Sequence, residues 1–320
     1  MFFIIIKVSV IWNDVFTKAL NAYIFKLLSM SDYSVCVDLG GTTSKFSVFT
    51  SDEIICQWSS PTPENNIVDM IESEIRNNFS NLNLESTDFK AVVIGVAGIV
   101  KDGIVSYAIN LNLRDYDLAD ILESRLGIKV IILNDVNLQA IGESSNYSSL
   151  FLVTIGTGIG AALMINGHLV EGYNGWAGEI GHIYLDSKTP EENASAKGLV
   201  KTAQNYLKSN NDDSSLRDFE TFTAEDIFNQ AKSGDAVALK IVREVYFKLG
   251  KLLAVICSAF DPEVIIISGG VSKAGDLLLD IIKEGFSEVA FKNTEILLSD
   301  LREKAAVFGA MKIVEDGITD

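Results

Sequence analysis

The 320-residue chain is short of cysteine, of histidine and of positive charge. Its three cysteines, Cys36, Cys56 and Cys257, are odd in number, far apart and set in strand-like or helical runs. That pattern speaks for buried reduced thiols and against a disulfide framework or a cysteine metal site. Lysine and arginine number 26 against 43 aspartates and glutamates, a formal net charge of −17. So acidic a chain lacks a basic face to lay along a phosphate backbone, and no nucleic-acid partner is expected. Long apolar runs are missing too. Met1 to Ile6 and Val8 to Trp12 are strongly apolar, but Lys7, Asp14, Lys18 and Lys26 interrupt them before the ~20 residues of a membrane span. The order of charge, apolar core and small-residue cleavage site of a signal peptide is also absent. A soluble cytoplasmic protein with no membrane partner is the expectation. Residues 1–30 are read as an N-terminal extension: either an over-long start ahead of Met30 or an added amphipathic segment.

What is present is glycine at strand ends. Asp38-Leu39-Gly40-Gly41-Thr42-Thr43-Ser44-Lys45 follows the apolar run Tyr33 to Val37. Adjacent glycines let a backbone turn back and aim its N–H groups at an anion, with Thr42, Thr43 and Lys45 as further donors. A carboxylate at that strand end suits a phosphate site only with a divalent cation between them, which makes Asp38 a candidate for Mg2+ through water. The plainer reading, a Gly-Gly hairpin turn into Phe46–Phe49, carries equal weight on these residues alone. A second run, Phe151 to Ile155, ends in Gly156-Thr157-Gly158-Ile159-Gly160, and a third, Val264 to Ile267, runs into Gly269-Gly270 ahead of a helix-like stretch from Asp276. Three glycine turns after three strands argue for a nucleotide held between two lobes.

The rest reads as alternating elements. Strands are expected at Tyr33–Val37, Phe46–Thr50, Ile54–Trp58, Ala91–Val96 and Val130–Leu133, and helices near 65–79, 117–126, 236–260 and 305–316 from their apolar spacing. The polar stretch 210–215 reads as a loop inside a domain. With 48% hydrophobic residues, the chain can bury one or two cores without staples. Asn134-Asp135, at the tip of a strand, serves either as a helix cap for Val136 to Glu143 or as a general base.

Taken in order, Asp-x-Gly-Gly-Thr, Asn134-Asp135, Gly-Thr-Gly-x-Gly, Gly178-Glu179-Ile180-Gly181-His182 and Gly269-Gly270-Val271 resemble the ROK family of sugar kinases and repressors. The likeness runs from about Tyr33 to about Val314. It implies an α/β, two-lobed ribonuclease H-like (actin-like ATPase) fold with a nucleotide cleft between lobes. The small lobe would comprise residues 31–134 plus 304–320, and the large lobe 135–303. It further implies ATP and Mg2+ as cofactors, a small-molecule hexose as partner and a homodimer. A DNA-reading helix-turn-helix needs more room than this chain offers, so the repressor branch is disfavoured.

Carried onto these residues, the resemblance makes Asp135 the base and assigns the sugar to Gly98, Asn110, Asn134, Asp135, Glu179, His182 and Glu191. The nucleotide falls to Asp38, Gly40, Gly41, Thr42, Thr43, Lys45, Gly156, Thr157, Gly158, Gly160, Gly269 and Gly270. Two departures stand out. The family's Cys-x-Cys-Gly-x-x-Gly-Cys zinc hairpin is absent after His182, so no zinc site is expected. The chain rejoins the pattern at Glu191-x-x-Ala194-Ser195, where Glu192 rivals Glu191 through a one-residue slip. The tryptophan expected soon after Asn110-Leu111 is also missing, which leaves the hexose open among glucose, N-acetylmannosamine, fructose and allose. Hexose phosphorylation, as a glucokinase, is the leading expectation. A sugar sensor without catalysis and a bare scaffold are the alternatives.

Overall fold

A computed structural model of the chain describes residues 33–184 and 188–317. The expectations for residues 1–30 lie outside them. The first sheet is built from β1 (Tyr33–Leu39), β2 (Thr43–Phe49), β3 (Ile54–Pro61), β4 (Phe89–Val96) and β8 (Lys129–Asn134), in the order β3-β2-β1-β4-β8. A small antiparallel sheet of β5 (Ile99–Lys101), β6 (Ile104–Ala108) and β7 (Leu113–Tyr116) hangs between β4 and β8. The second large sheet joins β9 (Leu150–Ile155), β10 (Ile159–Ile165), β11 (His168–Leu169), β12 (Val264–Ser268) and β13 (Glu295–Leu298), in the order β11-β10-β9-β12-β13. Both sheets place an antiparallel meander beside a parallel trio, with one strand order. The repetition suspected from the glycine turns is thus a repetition of whole sheets.

Alternation along the strands decides the layers, because successive side chains leave opposite faces. In the first sheet Val35, Val37 and Leu39 share a core with α1 (Ile67–Leu82) and α2 (Leu118–Leu126). Cys36, Phe49 and Val93 turn to the other face and meet Leu138 of α3 (Asp135–Glu143) and Ala306, Val307 and Ala310 of α9 (Ala305–Glu315). In the second sheet Phe151, Val153, Ile265 and Ile267 face α5 (Ala196–Ser209), α6 (Ala224–Lys232), α7 (Ala236–Phe260) and α8 (Asp276–Val289). Leu150, Leu152, Val264 and Ile266 pack on Val136 and Ala140 of α3. Helix α3 is therefore covered by one sheet on each side. Strands buried on both faces read as the continuous apolar runs seen in the sequence.

Expected and observed elements differ mainly at their ends. Helix α1 starts at Ile67 rather than residue 65, because Asn66 takes a left-handed φ of 62° and Asn83, with φ 56°, closes its far end. The stripe Ile67, Val68, Ile71, Ile75 and Phe79 is buried. The polar stretch 210–215 is a loop inside the second unit, tied down where Ser214 and Ser215 donate to the carboxylate of Asp235, the N-cap of α7. Of the cysteines, Cys36 and Cys257 are buried, but Cys56 is only half-buried. It lies on β3, whose residues alternate between half-covered and exposed. Among the described residues no helix is long and apolar enough to cross a membrane.

Helices α3 and α9 cross backbone against backbone. A Cβ built on Gly309 would lie 2.0 Å from the Leu138 carbonyl oxygen, and one on Gly142 would lie 2.1 Å from that of Ala305. Gly309→Ala is expected to destabilise the protein by about 2 kcal/mol or more, since rigid backbone must move to admit the methyl. Denaturant unfolding measures this, and a variant as stable as the parent refutes the crossing.

Candidate functional site

The C-terminal ends of the parallel strands in the first sheet carry the acidic part of the site. Asp38 on β1 is in register with Gly95 on β4, which is in register with Leu133 on β8. Asn134 and Asp135 follow directly. The absence of a side chain at Gly95 lets the backbone of Asp135 approach, for a Cβ there would meet its Cα at 3.2 Å. Asn134 takes the capping role: its Oδ1 accepts from the N–H groups of Val136 and Asn137, at 2.9 and 3.0 Å, while its Nδ2 donates to the Gly98 carbonyl. The side-chain cap of the helix is thus Asn134, while the carboxylate of Asp135 takes backbone N–H groups of Val136 and of Asp135 itself, which oppose the rise of its pKa. Burial, then the neighbouring charge of Asp38, push the Asp135 carboxyl up to about 7, with a lesser push from Glu179. Burial likewise raises Asp38, with Lys45 opposing and Glu303 adding to it.

The loop Gly178–His182 lies flat along β10. Gly178, at φ 91°, has no room for a Cβ, which would sit 2.1 Å from the Ala161 carbonyl; at Gly181 the same atom would be 2.3 Å from that of Ile159. With both glycines pressed on the strand and Ile180 buried, Glu179 and His182 are turned outward, their Oε2 and Nε2 3.7 Å apart. Burial raises the Glu179 carboxyl, the His182 side opposes this, and the charge of Glu191 adds to it. Glu191 and Glu192 part company here. Glu192 closes a capping box with Thr189 at the start of α4 (Pro190–Ala194). Glu191 reaches the second glycine turn, where its Oε2 accepts from the Ile159 N–H at 2.9 Å.

The three glycine turns sort into two kinds. The first is a hairpin: β1 and β2 pair antiparallel up to Leu39 and Ser44, and Thr62 braces it by donating to the Gly40 carbonyl. The plain hairpin reading therefore holds as geometry. Gly41 abuts the Asn110 side chain, which brings that residue to the turn. The second turn is also a hairpin, β9 to β10, and the third leads into a short 3-10 turn. Several glycines are required by the protein's own packing: Gly160 by the Val136 side chain, Gly269 (φ 86°) by Ile155, and Gly98 by Tyr107 and Ala108, while a Cβ on Gly158 would meet only the movable carboxylate of Glu191. Gly156 and Gly270 have neither a left-handed φ nor any atom within 4 Å of a built Cβ. Packing and strain give no reason for glycine at either position. Thr42, Thr43 and Thr157 stand exposed beside these turns.

Lys45 does not stand free at the first turn. Its Nζ pairs with Glu303, which also holds Lys273. Neither Glu303 nor Lys273 was singled out from the sequence, since residues 258 positions apart carry no local signal. The cysteines sit on β1, β3 and α7, and among the described residues no three histidine, cysteine or acidic side chains gather to hold a metal ion. Magnesium needs no such cage: it takes one or two carboxylates, keeps water, and completes its shell with phosphate oxygens. Asp38 beside Asp135 fits that chemistry.

Two sheets of one strand order, meeting along α3 with glycine turns and acids at their strand ends, define an actin-like ATPase fold. A glucokinase of the same fold family from Streptomyces griseus, solved with glucose and AMPPNP, superposes with a TM-score of 0.76 at 29% identity, covering 89% of this chain and all of that one. The model of the ROK family matches residues 34–317, and the chain belongs to that family. A glucokinase of Halalkalibacterium halodurans is 33% identical over 89% of this chain and 96% of its own length. The xylose repressor of Bacillus subtilis is 29% identical over 71% of this chain and 61% of its own length.

Gly156→Ala and Gly270→Ala are expected to fold with unchanged or slightly higher stability, by up to ~1 kcal/mol, because the unfolded chain loses freedom at no steric cost. Both should weaken binding of an ATP analogue measured by calorimetry. Unimpaired nucleotide binding in both would remove these turns from the ligand.

Proposed function

We propose that this chain is an ATP- and magnesium-dependent hexose kinase, with glucose as the leading substrate. The observation that carries the reading is Asp135: a carboxylate at a helix start whose capping duty is taken by Asn134, with a pKa of about 7. A base so placed can accept the proton of a sugar hydroxyl at neutral pH. Phosphoryl transfer asks the protein chiefly to align donor and acceptor and to neutralise charge. ATP supplies the phosphoryl group, and magnesium held by Asp38 through water supplies charge neutralisation. Glu179, His182 and Glu191 grip neighbouring hydroxyls, Asn110 faces them from the first lobe, and Gly156 and Gly270 admit phosphate to the backbone. We divide the chain into lobes 31–134 with 304–320, and 135–303, with α3 shared by both cores. The family resemblance and the relatives' names support glucose, and N-acetylmannosamine and fructose are its competitors. The loop after His182 works without zinc, anchored by the Thr189–Glu192 box.

A panel of hexoses with ATP, read by ADP release, tests the activity directly. Glucose should give the highest kcat/KM; no turnover with any hexose would favour a sugar-binding protein without catalysis. Asp135→Asn should lower turnover by ~10²–10⁴ while hexose binding persists, and retention of more than roughly a tenth of the activity would remove Asp135 as base.

The pH dependence follows from the raised Asp135 carboxyl. Below about pH 7 the free protein holds that proton, so kcat/KM for the hexose should fall as pH drops through about 7. Stability moves the other way. The folded value lies above the ordinary 3.8, so the native state binds more protons than the unfolded chain between these values, and stability falls as pH rises through that window. Asp135→Asn should raise Tm at about pH 8 and change it little at about pH 4. An equal effect at both pH values would show that Asp135 is not held protonated.

A further inference from the structure

Lys45, Glu303 and Lys273 form a bridge of charges between the two large sheets. Lys45 lies on β2, in register with Asp38 across the first glycine turn. Lys273 lies in the 3-10 turn Gly270–Ala274, directly after the third glycine pair. Glu303 lies in the turn Arg302–Lys304 that leads into α9. Each oxygen of its carboxylate holds one ammonium: Oε2 stands 3.4 Å from Lys45 Nζ, and Oε1 stands 3.0 Å from Lys273 Nζ. The three side chains are 47%, 62% and 69% exposed for Lys45, Glu303 and Lys273. Ion pairs so open to water contribute little to folding, so stability does not account for the arrangement.

The geometry is that of an oxyanion shared between two lysines, which is also how phosphate is held. The surroundings call for such a pair. Asp135 feels the charges of Asp38 and Glu179, and Glu179 that of Glu191, in a chain with net charge −17, so a triphosphate arriving beside them meets like charge. Lys45 and Lys273 supply opposite charge, one from each sheet, and Gly270, three residues from Lys273, has open space above it. The two lysines in turn hold the Glu303 carboxyl below its ordinary range.

We propose that Glu303 is an internal stand-in for nucleotide phosphate: its carboxylate occupies Lys45 and Lys273 in the free protein, and the phosphate tail displaces it. The proposal rests on the nucleotide cleft of the kinase reading. The exchange leaves one lysine from each sheet on a single anion, as Glu303 does in the free protein, so the glutamate holds the two lysines in place for the phosphate. Glu303 then acts as a built-in competitor that keeps affinity for free nucleotide low.

The test is calorimetric titration of the hexose-free full chain with MgATP and, separately, with inorganic triphosphate in magnesium, alongside thermal melts. Glu303→Gln should tighten both ligands roughly two- to fivefold, the range an exposed ion pair commands, and the gain should shrink at high salt. Lys273→Met should loosen both. In the Glu303→Gln/Lys273→Met double variant the gain from Glu303→Gln should largely vanish, because the glutamate acts through the lysine. Unchanged or weaker binding by Glu303→Gln overturns the proposal. So does a gain that persists in full without Lys273, which would make Glu303 a plain repelling charge. Hexose turnover with unaltered Glu303→Gln binding leaves the kinase reading standing and the stand-in refuted. Tightened triphosphate binding without turnover on any hexose does the reverse.

Discussion

The structure depends on how closely helix α3 is approached on three sides. Gly95 of the first sheet admits the backbone of Asp135, Gly160 of the second sheet admits Val136, and Gly309 of α9 admits the Leu138 carbonyl. A methyl group at Gly160 or Gly309 would clash outright, and one at Gly95 would have to push its neighbours back by a few tenths of an ångström. Close-packed interiors transmit such constraints, because there is no slack to absorb a shift. The start of α3 is thereby placed between the strand ends of two sheets. Asp135 occupies that start, so the position of the candidate base follows from the packing of the helix rather than from a loop of its own. The far end of α3 is fastened as well: Ser299 donates to the buried Glu143 carboxylate, and the Ser299 N–H donates to the Ile267 carbonyl of β12.

Electrostatics in the cleft are costly to the free protein. Asp38, Asp135 and Glu179 all have raised carboxyls, chiefly through burial and in part through neighbouring carboxylates: Glu303 acts on Asp38, Asp38 and Glu179 on Asp135, and Glu191 on Glu179. Groups in such a state favour whatever brings positive charge or hydrogen-bond donors to them. Under the proposed kinase reading a sugar would bring hydroxyls and a metal nucleotide a cation, so binding would relieve what folding imposes. Strongly shifted groups gathered in a cleft are a common mark of functional sites, and here geometry points the same way.

Glycine has two uses in this chain, and they separate cleanly in three dimensions. Gly160, Gly178, Gly181 and Gly269 are demanded by neighbouring protein atoms, whereas Gly156 and Gly270 face open space. In sequence both kinds stand in the same motifs. A glycine-rich motif thus mixes residues that shape the turn with residues that leave room above it. Only the surroundings of each Cβ position tell them apart.

Much of this protein was legible in its sequence. Apolar runs ending in glycine placed β1, β9 and β12, helical spacing placed α1, α7 and α9, and the ordered motifs pointed to the family. These features are local, and local propensity and periodicity encode them directly. The site residues were nameable for the same reason, but their division of labour was not. That Asn134 supplies the cap while Asp135 remains the buried carboxylate beside Asp38, and that Glu191 reaches the Ile159 N–H while Glu192 is consumed by Thr189, depends on side-chain direction at single positions. The small sheet β5-β6-β7, the bridge from Lys45 through Glu303 to Lys273, and the glycine contacts around α3 join segments far apart along the chain. Such contacts leave no periodic trace, because the residues that meet are chosen by how the sheets stack; the sequence by itself determined the strands, turns and motifs, and only the tertiary structure decided which of them touch.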